Sequence, residues 1–159
     1  AVTRENETGA ALLAGGVSAA LLLGALAFQY LGGLAPCEMC IWQHWPHGAA
    51  ILLGLGGGLL ALNGTLPRSS ARTLALLAIA GLAISGAIGV FHAGVEWKFW
   101  PGPPACTGFG YVPGQADFRI VRCDEAQWRL FGLSLAGYNA IFSLGVAAFA
   151  WTLLPRAKG

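Results

Sequence analysis

Four stretches of this sequence run for roughly the 20 apolar residues needed to cross a hydrocarbon core of about 30 Å as a helix. Between Glu7 and Glu38 no charged residue intervenes, and residues 9–31 are mostly Ala, Leu and Gly. A second run covers 45–62, a third 73–92 between Arg72 and Glu96, and a fourth 133–154 between Arg129 and Arg156. Pro46 suits the first turn of the second run, and Asn63, Gly64 and Pro67 suit its stop. Backbone amides in lipid must pair within their own segment, so the runs are helices rather than strands. Only 10% of residues are charged and 56% are hydrophobic, against the usual quarter charged, which makes lipid the solvent. The predicted fold is all-α: one membrane domain over 1–159, a four-helix bundle with exterior loops at 32–44 and 93–132. A net charge of +2 with scattered basic residues excludes a nucleic-acid footprint, which needs a clustered basic face.

The first run lacks a strongly basic start and is too long for the apolar core of a secretory signal, so it is read as a span. Leu34, Ala35, Pro36 and Cys37 resemble a lipoprotein cleavage box only weakly, because Pro36 sits where a small flexible residue belongs. Arg68 and Arg72 mark the short connection, Arg4 the start and Arg156 and Lys158 the end, whereas the first exterior loop has no Lys or Arg. The longer loop offsets Lys98, Arg119, Arg122 and Arg129 with Glu96, Asp117, Asp124 and Glu125. The positive-inside rule therefore predicts both termini in the cytoplasm. Small residues at Gly16, Ala20 and Gly24, and at Gly81, Ser85 and Gly89, predict close helix approaches. Trp97, Phe99, Trp100 and Tyr111 are expected to anchor the long loop on the membrane surface.

Chemistry enters with four cysteines: Cys37 and Cys40 in the first exterior loop, Cys106 and Cys123 in the second. As read from the sequence, none lies in a span or on the cytoplasmic side, so packing is not their purpose. The outside of a bacterial inner membrane is where disulfides form and persist. Four cysteines allow three pairings, and the sequence alone does not choose. Cys37 and Cys40 form a C-x-x-C, a spacing that shifts thiols toward reactive pKa values. A Cys106–Cys123 bridge would close 18 residues counting both ends, worth about 3 kcal/mol if structural. Pro101, Pro103, Pro104 and Pro113 bound a surface loop able to present a cysteine to another protein.

Other readings stay open on the residues alone. Two disulfides could staple a non-catalytic scaffold. Cys37, Cys40, His44 and His47 offer metal-ligand chemistry, though the usual intervening span of about 12 residues is missing and Pro46 restricts the backbone. Haem attachment fails, because Ile41 follows Cys40 where C-x-x-C-H needs histidine.

The segments PCEMCIWQHWPHG (36–48), FHAGVEWKFWPGPPACTG (91–108) and RCDEAQWRLFGLSLAGYN (122–139) resemble the DsbB family of bacterial disulfide-bond formation proteins, and the likeness covers nearly the whole chain. It implies a membrane thiol:quinone oxidoreductase in the bacterial inner membrane, with a periplasmic thioredoxin-fold DsbA-like protein as partner and ubiquinone or menaquinone as electron acceptor. Carried over by position, Cys106 would take the mixed disulfide with Cys123 as its mate. Cys123 would communicate with Cys37, and Cys40 would deliver electrons to the quinone. The family usually has arginine four residues after the C-x-x-C, where this sequence has His44. The expectation is that His44 serves the quinone as donor or as imidazolium, and that His92 is a second quinone neighbour. Glu38, Asp124 and Glu125 read as solvated carboxylates that oppose thiolate formation slightly. Enzymes resembling vitamin-K-epoxide reductase share this chemistry, but their quinone-facing C-x-x-C belongs to a late helix.

Overall fold

The computed structural model describes residues 2–107 and 121–156. Four helices are long and apolar enough to cross a membrane, and they form an all-α bundle. Helix α1 is Val2–Tyr30, α2 is Glu38–Leu62, α3 is Arg68–Glu96, and α5 is Leu135–Leu153. The single-turn α4 (Pro104–Thr107) and a small antiparallel hairpin, β1 (Arg129–Leu130) and β2 (Leu133–Ser134), lie in the long loop. The hairpin turns on Phe131 and Gly132, both at positive φ, which fits the right-handed twist of a two-residue connection. Ser134 then caps α5, accepting from the Gly137 amide at 3.2 Å. Tyr111, Pro113, Asp117, Arg119 and Lys158 lie outside the described residues.

Helix α2 begins at Glu38 rather than at Pro46, because the Cys37 sulfur caps it by accepting the Cys40 amide at 3.2 Å. The exposed Glu38 carboxylate sits in the first turn, where the helix dipole favours it. Pro46 therefore lies inside the helix. Pro46 has no amide proton, so the Trp42 carbonyl loses its helical donor; one residue on, the Ser85 hydroxyl of α3 donates to the Gln43 carbonyl at 3.0 Å. The loop expected over 32–44 thus shrinks, and Cys40 and His44 belong to a spanning helix rather than to an exterior loop. Similarly, α3 runs past residue 92 and carries both His92 and Glu96.

Helix packing sorts the two small-residue triplets. Gly81, Ser85 and Gly89 are buried. A Cβ at Gly81 would stand 3.0 Å from the Pro46 carbonyl oxygen, and one at Gly89 would stand 2.9 Å from that of Ala136. The first triplet does not pack this way: a Cβ on Gly16 or Gly24 would meet nothing within 4 Å. Periodicity chose the wrong face of α1, since the close approach uses Gly15 one position earlier. There a Cβ would fall 2.5 Å from the Leu55 amide of α2. Across from it, α2 loosens into a π-helical turn, Leu52–Gly56.

At the end of the bundle away from the cysteines, buried Glu7 of α1 pairs with Arg68 at 3.5 Å and Arg72 at 3.6 Å. Arg72 also donates to the Pro155 carbonyl at 2.8 Å. One guanidinium thereby ties α1, α3 and the segment after α5 together.

Candidate functional site

At the opposite end, the chain buries Cys37, Cys106 and Cys123 in one cluster with Met39 and Val95, and half-buried Cys40 packs against it. Cys106 and Cys123 are joined in a disulfide with Cα atoms 5.4 Å apart, and the Cys123 amide donates to the Cys106 carbonyl at 2.9 Å. Cys37 and Cys40 are free thiols with their sulfurs 2.6 Å apart. The hydrogen bond shared with Cys40 and then burial push the Cys37 thiol well above the ordinary thiol range.

A cation clamp fixes the Cys106–Cys123 disulfide from the side. Arg122 grips Asp124 with two bonds, Nε to Oδ1 at 2.9 Å and a terminal nitrogen to Oδ2 at 2.8 Å. Lys98 adds a 2.8 Å bond to the same carboxylate. Arg122 also donates to the Thr107 carbonyl at 3.3 Å, so residues adjoining Cys106 and Cys123 are held to each other. Asp124 is therefore not the solvated charge the sequence suggested. The Arg122 guanidinium first, and Lys98 after it, hold its carboxyl at about 2. A depressed acid pKa contributes stability that is complete above the unfolded value of 3.8 and is lost as pH falls toward about 2. Measured relative to a small-molecule disulfide reduced in parallel, phosphine reduction of Cys106–Cys123 should accordingly keep one rate ratio from pH 7 to 4.5 and rise several-fold by pH 2. Asp124→Asn should show the faster rate already at pH 7.

His92 of α3 stands at the junction of the two cysteine pairs. Its Nε2 lies 3.0 Å from the Cys123 carbonyl, 3.6 Å from the Cys37 sulfur and 3.5 Å from Glu96 Oε1. His92 and Glu96 are 3% and 8% exposed, so neither is a terminal polar residue reaching for water; the Cys123 carbonyl lies against His92, and Ser134 bonds Glu96. From His92 a line of polar groups descends into the bundle. Its Nδ1 is 3.0 Å from Gln43 Nε2, Gln43 Oε1 accepts from Asn139 Nδ2 at 2.8 Å, and Asn139 Oδ1 is 2.9 Å from His47 Nε2. Ser85 and Ser143 complete the coordination of Asn139. Sequence reading passed over Gln43 and Asn139, although a polar side chain within an apolar run is itself a signal of function.

A cavity of about 240 Å³ opens beside this line. Cys37, Cys40, His44, His47, His92 and Glu96 border it on the polar side, and Ala20, Gly24 and Phe28 of α1 on the apolar side. The small-residue stripe on α1 thus clears space for a ligand instead of for a helix. Its contents suit a flat, mostly apolar ring bearing polar atoms: thiols stand at one end, and two buried polar atoms, Glu96 Oε2 and His47 Nδ1, have no partner.

The family described as "Disulfide bond formation protein DsbB" matches residues 7–153. The chain belongs to the DsbB family. Among its relatives, a disulfide bond formation protein B of Actinobacillus pleuropneumoniae is 31% identical over 92% of this chain and 86% of its own length. Another from Methylococcus capsulatus is 30% identical over 83% and 84%, and one from Aromatoleum aromaticum is 29% identical over 90% and 89%. No solved structure matches the chain. Membership in the DsbB family, together with the four apolar helices, makes this a multi-pass inner-membrane protein of disulfide bond formation.

Against that background the metal reading needs correction. The ligand atoms that gather are those of Cys37, Cys40 and His92, not the quartet with His44 and His47. Two thiolates on one tetrahedral zinc, each about 2.3 Å from it, stand about 3.8 Å apart; sulfurs at 2.6 Å suit a thiol pair about to bond with each other. Trp97, Phe99 and Trp100 are exposed and edge against one another, as interfacial anchors would be.

Proposed function

We propose that the chain is a thiol:quinone oxidoreductase that reoxidises a periplasmic thioredoxin-fold DsbA-like carrier and passes the electrons to ubiquinone or menaquinone. The observation that carries this reading is the contiguity of a disulfide, a thiol pair and a cavity at one end of the bundle. The carrier's thiolate attacks Cys106, breaking the Cys106–Cys123 bond and forming a mixed disulfide. Cys123 leaves as the thiolate, next to Cys37 in the same cluster. Once the acceptor has taken two electrons and two protons from Cys37 and Cys40, leaving them joined by an S–S bond, the Cys123 thiolate attacks Cys37 and Cys40 leaves as the thiolate; His92 stands between the Cys123 carbonyl and the Cys37 sulfur, so this exchange needs little movement. Cys40 borders the cavity and presents its sulfur to the acceptor, which supplies a two-electron sink more oxidising than the glutathione pool. The cysteine end faces the periplasm and both termini the cytoplasm, by the distribution of Arg68, Arg72 and Arg156.

Cys106→Ser tests the reading. The enzyme is expected to lose carrier oxidation by several orders of magnitude while its helical content and thermal midpoint in detergent stay close to those of the parent. A disulfide-stapled scaffold would instead lose stability, by about 3 kcal/mol for a loop of this length. His44 borders the cavity where the family usually has arginine, so an imidazole stands where a fixed cation would. His44→Ala should slow quinone-dependent turnover while leaving the first exchange with the carrier unchanged, and unchanged turnover would remove His44 from the chemistry.

A further inference from the structure

We propose that His47, oriented by Asn139, is the group that recognises the reduced ring: its bare Nδ1 accepts the hydroxyl of a bound hydroquinone at the end of the cavity away from Cys40. The inference rests on the quinone reading above and adds a residue and a redox preference to it.

The argument is a chain of donors and acceptors in which each direction is forced. The Cys123 carbonyl only accepts, so His92 Nε2, 3.0 Å away, carries the proton. In the neutral ring, His92 Nδ1 is then an acceptor, and Gln43 Nε2 donates to it at 3.0 Å. That amide is fixed independently, because Gln43 Nε2 also donates to the Met39 carbonyl at 3.1 Å. Gln43 Oε1 accepts from Asn139 Nδ2, which is fixed in turn by donation to the Ser85 carbonyl at 3.2 Å. Asn139 Oδ1 is left as the acceptor and takes a proton from the Ser143 hydroxyl at 2.6 Å. His47 Nε2, 2.9 Å from the same oxygen, must therefore donate.

Nothing remains for His47 Nδ1 but a lone pair. The residue is 3% exposed, it borders the cavity, and this nitrogen has no partner. A buried acceptor without a donor is unfavourable, and a ligand hydroxyl would relieve it. An oxidised quinone offers only carbonyl oxygens and cannot provide it, whereas the hydroquinone can. All four links from His47 to Cys123 point the same way, so one more donor at the open end is strengthened by those beyond it.

The preference follows the chemistry. In the overall step the Cys37 and Cys40 thiols lose their two S–H bonds and form one S–S bond, while two electrons and two protons pass to the ring, giving two O–H bonds. A site that holds the reduced ring more tightly draws that step forward. A tenfold preference corresponds to about 30 mV on a two-electron couple.

The test is binding of ubiquinone-1 and of its reduced form, kept anaerobic, to the full chain in lipid nanodiscs. A Cys40→Ser background prevents electron exchange during the measurement. The parent is expected to bind the reduced ring about tenfold more tightly than the oxidised one, the worth of a single buried hydrogen bond. His47→Leu should lose that preference, with oxidised-ring affinity within threefold of the parent. His47→Gln should retain it, since an amide can donate to Asn139 and still offer an oxygen to the cavity. Should His47→Leu bind both forms as the parent does, Nδ1 is served by water and the proposal is wrong. An equal loss of both forms, or a Gln variant that behaves like Leu, also overturns it. If the Leu chain does not fold, the Gln chain decides: a kept preference upholds the proposal and a lost one ends it. Failure of either ring to bind the parent would instead overturn the quinone reading itself.

Discussion

The Cys40→Ser chain is expected to oxidise a single equivalent of reduced dithiol carrier and then stop. The Cys106–Cys123 disulfide is complete without Cys40, so the first exchange with a carrier remains possible. What is lost is the sulfur that borders the cavity beside Cys37. Serine keeps the size and the hydrogen bond but cannot form the S–S bond that releases two electrons. Multiple turnover with a quinone should fall on the order of 10⁴-fold or more, the scale on which loss of a reacting nucleophile is felt. Single-turnover burst amplitude and steady-state rate separate the two effects. A variant that turns over repeatedly would mean that electrons leave through another group, and the assignment of Cys40 to the acceptor would be withdrawn.

The spans and the pairing of loops were legible because lipid leaves the backbone little choice: a run without charge must be a helix. The cysteines were legible because their spacing and the family segments agree. Reading failed where tertiary neighbours decide. Pro46 has the look of a helix start, but Cys37 caps α2 eight residues earlier than the proline suggested, and a thiol is not among the usual capping side chains. His92 and Glu96 looked like groups at the end of a span, but the Cys123 carbonyl meets His92 and Ser134 meets Glu96, and both are buried. The period of four at Gly16, Ala20 and Gly24 was real, yet period alone does not distinguish a helix contact from the cavity wall that Ala20 and Gly24 form.

Gln43 is the residue whose loss should reach furthest into this site. Its amide joins His92 to Asn139, and so links the loop disulfide to the interior of the bundle. Leucine fills a similar volume but offers neither donor nor acceptor. In Gln43→Leu, His92 Nδ1 loses the donor from Gln43, while Asn139 Nδ2 keeps Ser85, so the direct cost should be about 1–3 kcal/mol. Function should suffer more than stability. Without a donor at Nδ1, His92 can place its proton there, which turns the Nε2 lone pair toward the Cys123 carbonyl and repels the loop segment that Cys123 must hold against Cys37. Exchange between the two cysteine pairs is therefore expected to slow by at least about tenfold, the effect of a buried contact worth about 1.4 kcal/mol. Thermal denaturation in detergent and the rate of reduction of Cys106–Cys123 by the Cys37/Cys40 pair measure the two consequences separately. Because Gln43 and Asn139 bond directly, the double variant with Asn139→Leu should cost less than the sum of the singles, by about 0.5–3 kcal/mol. A strictly additive double variant would mean that the polar line does not act as a unit, and that His92 is oriented by the Cys123 carbonyl alone.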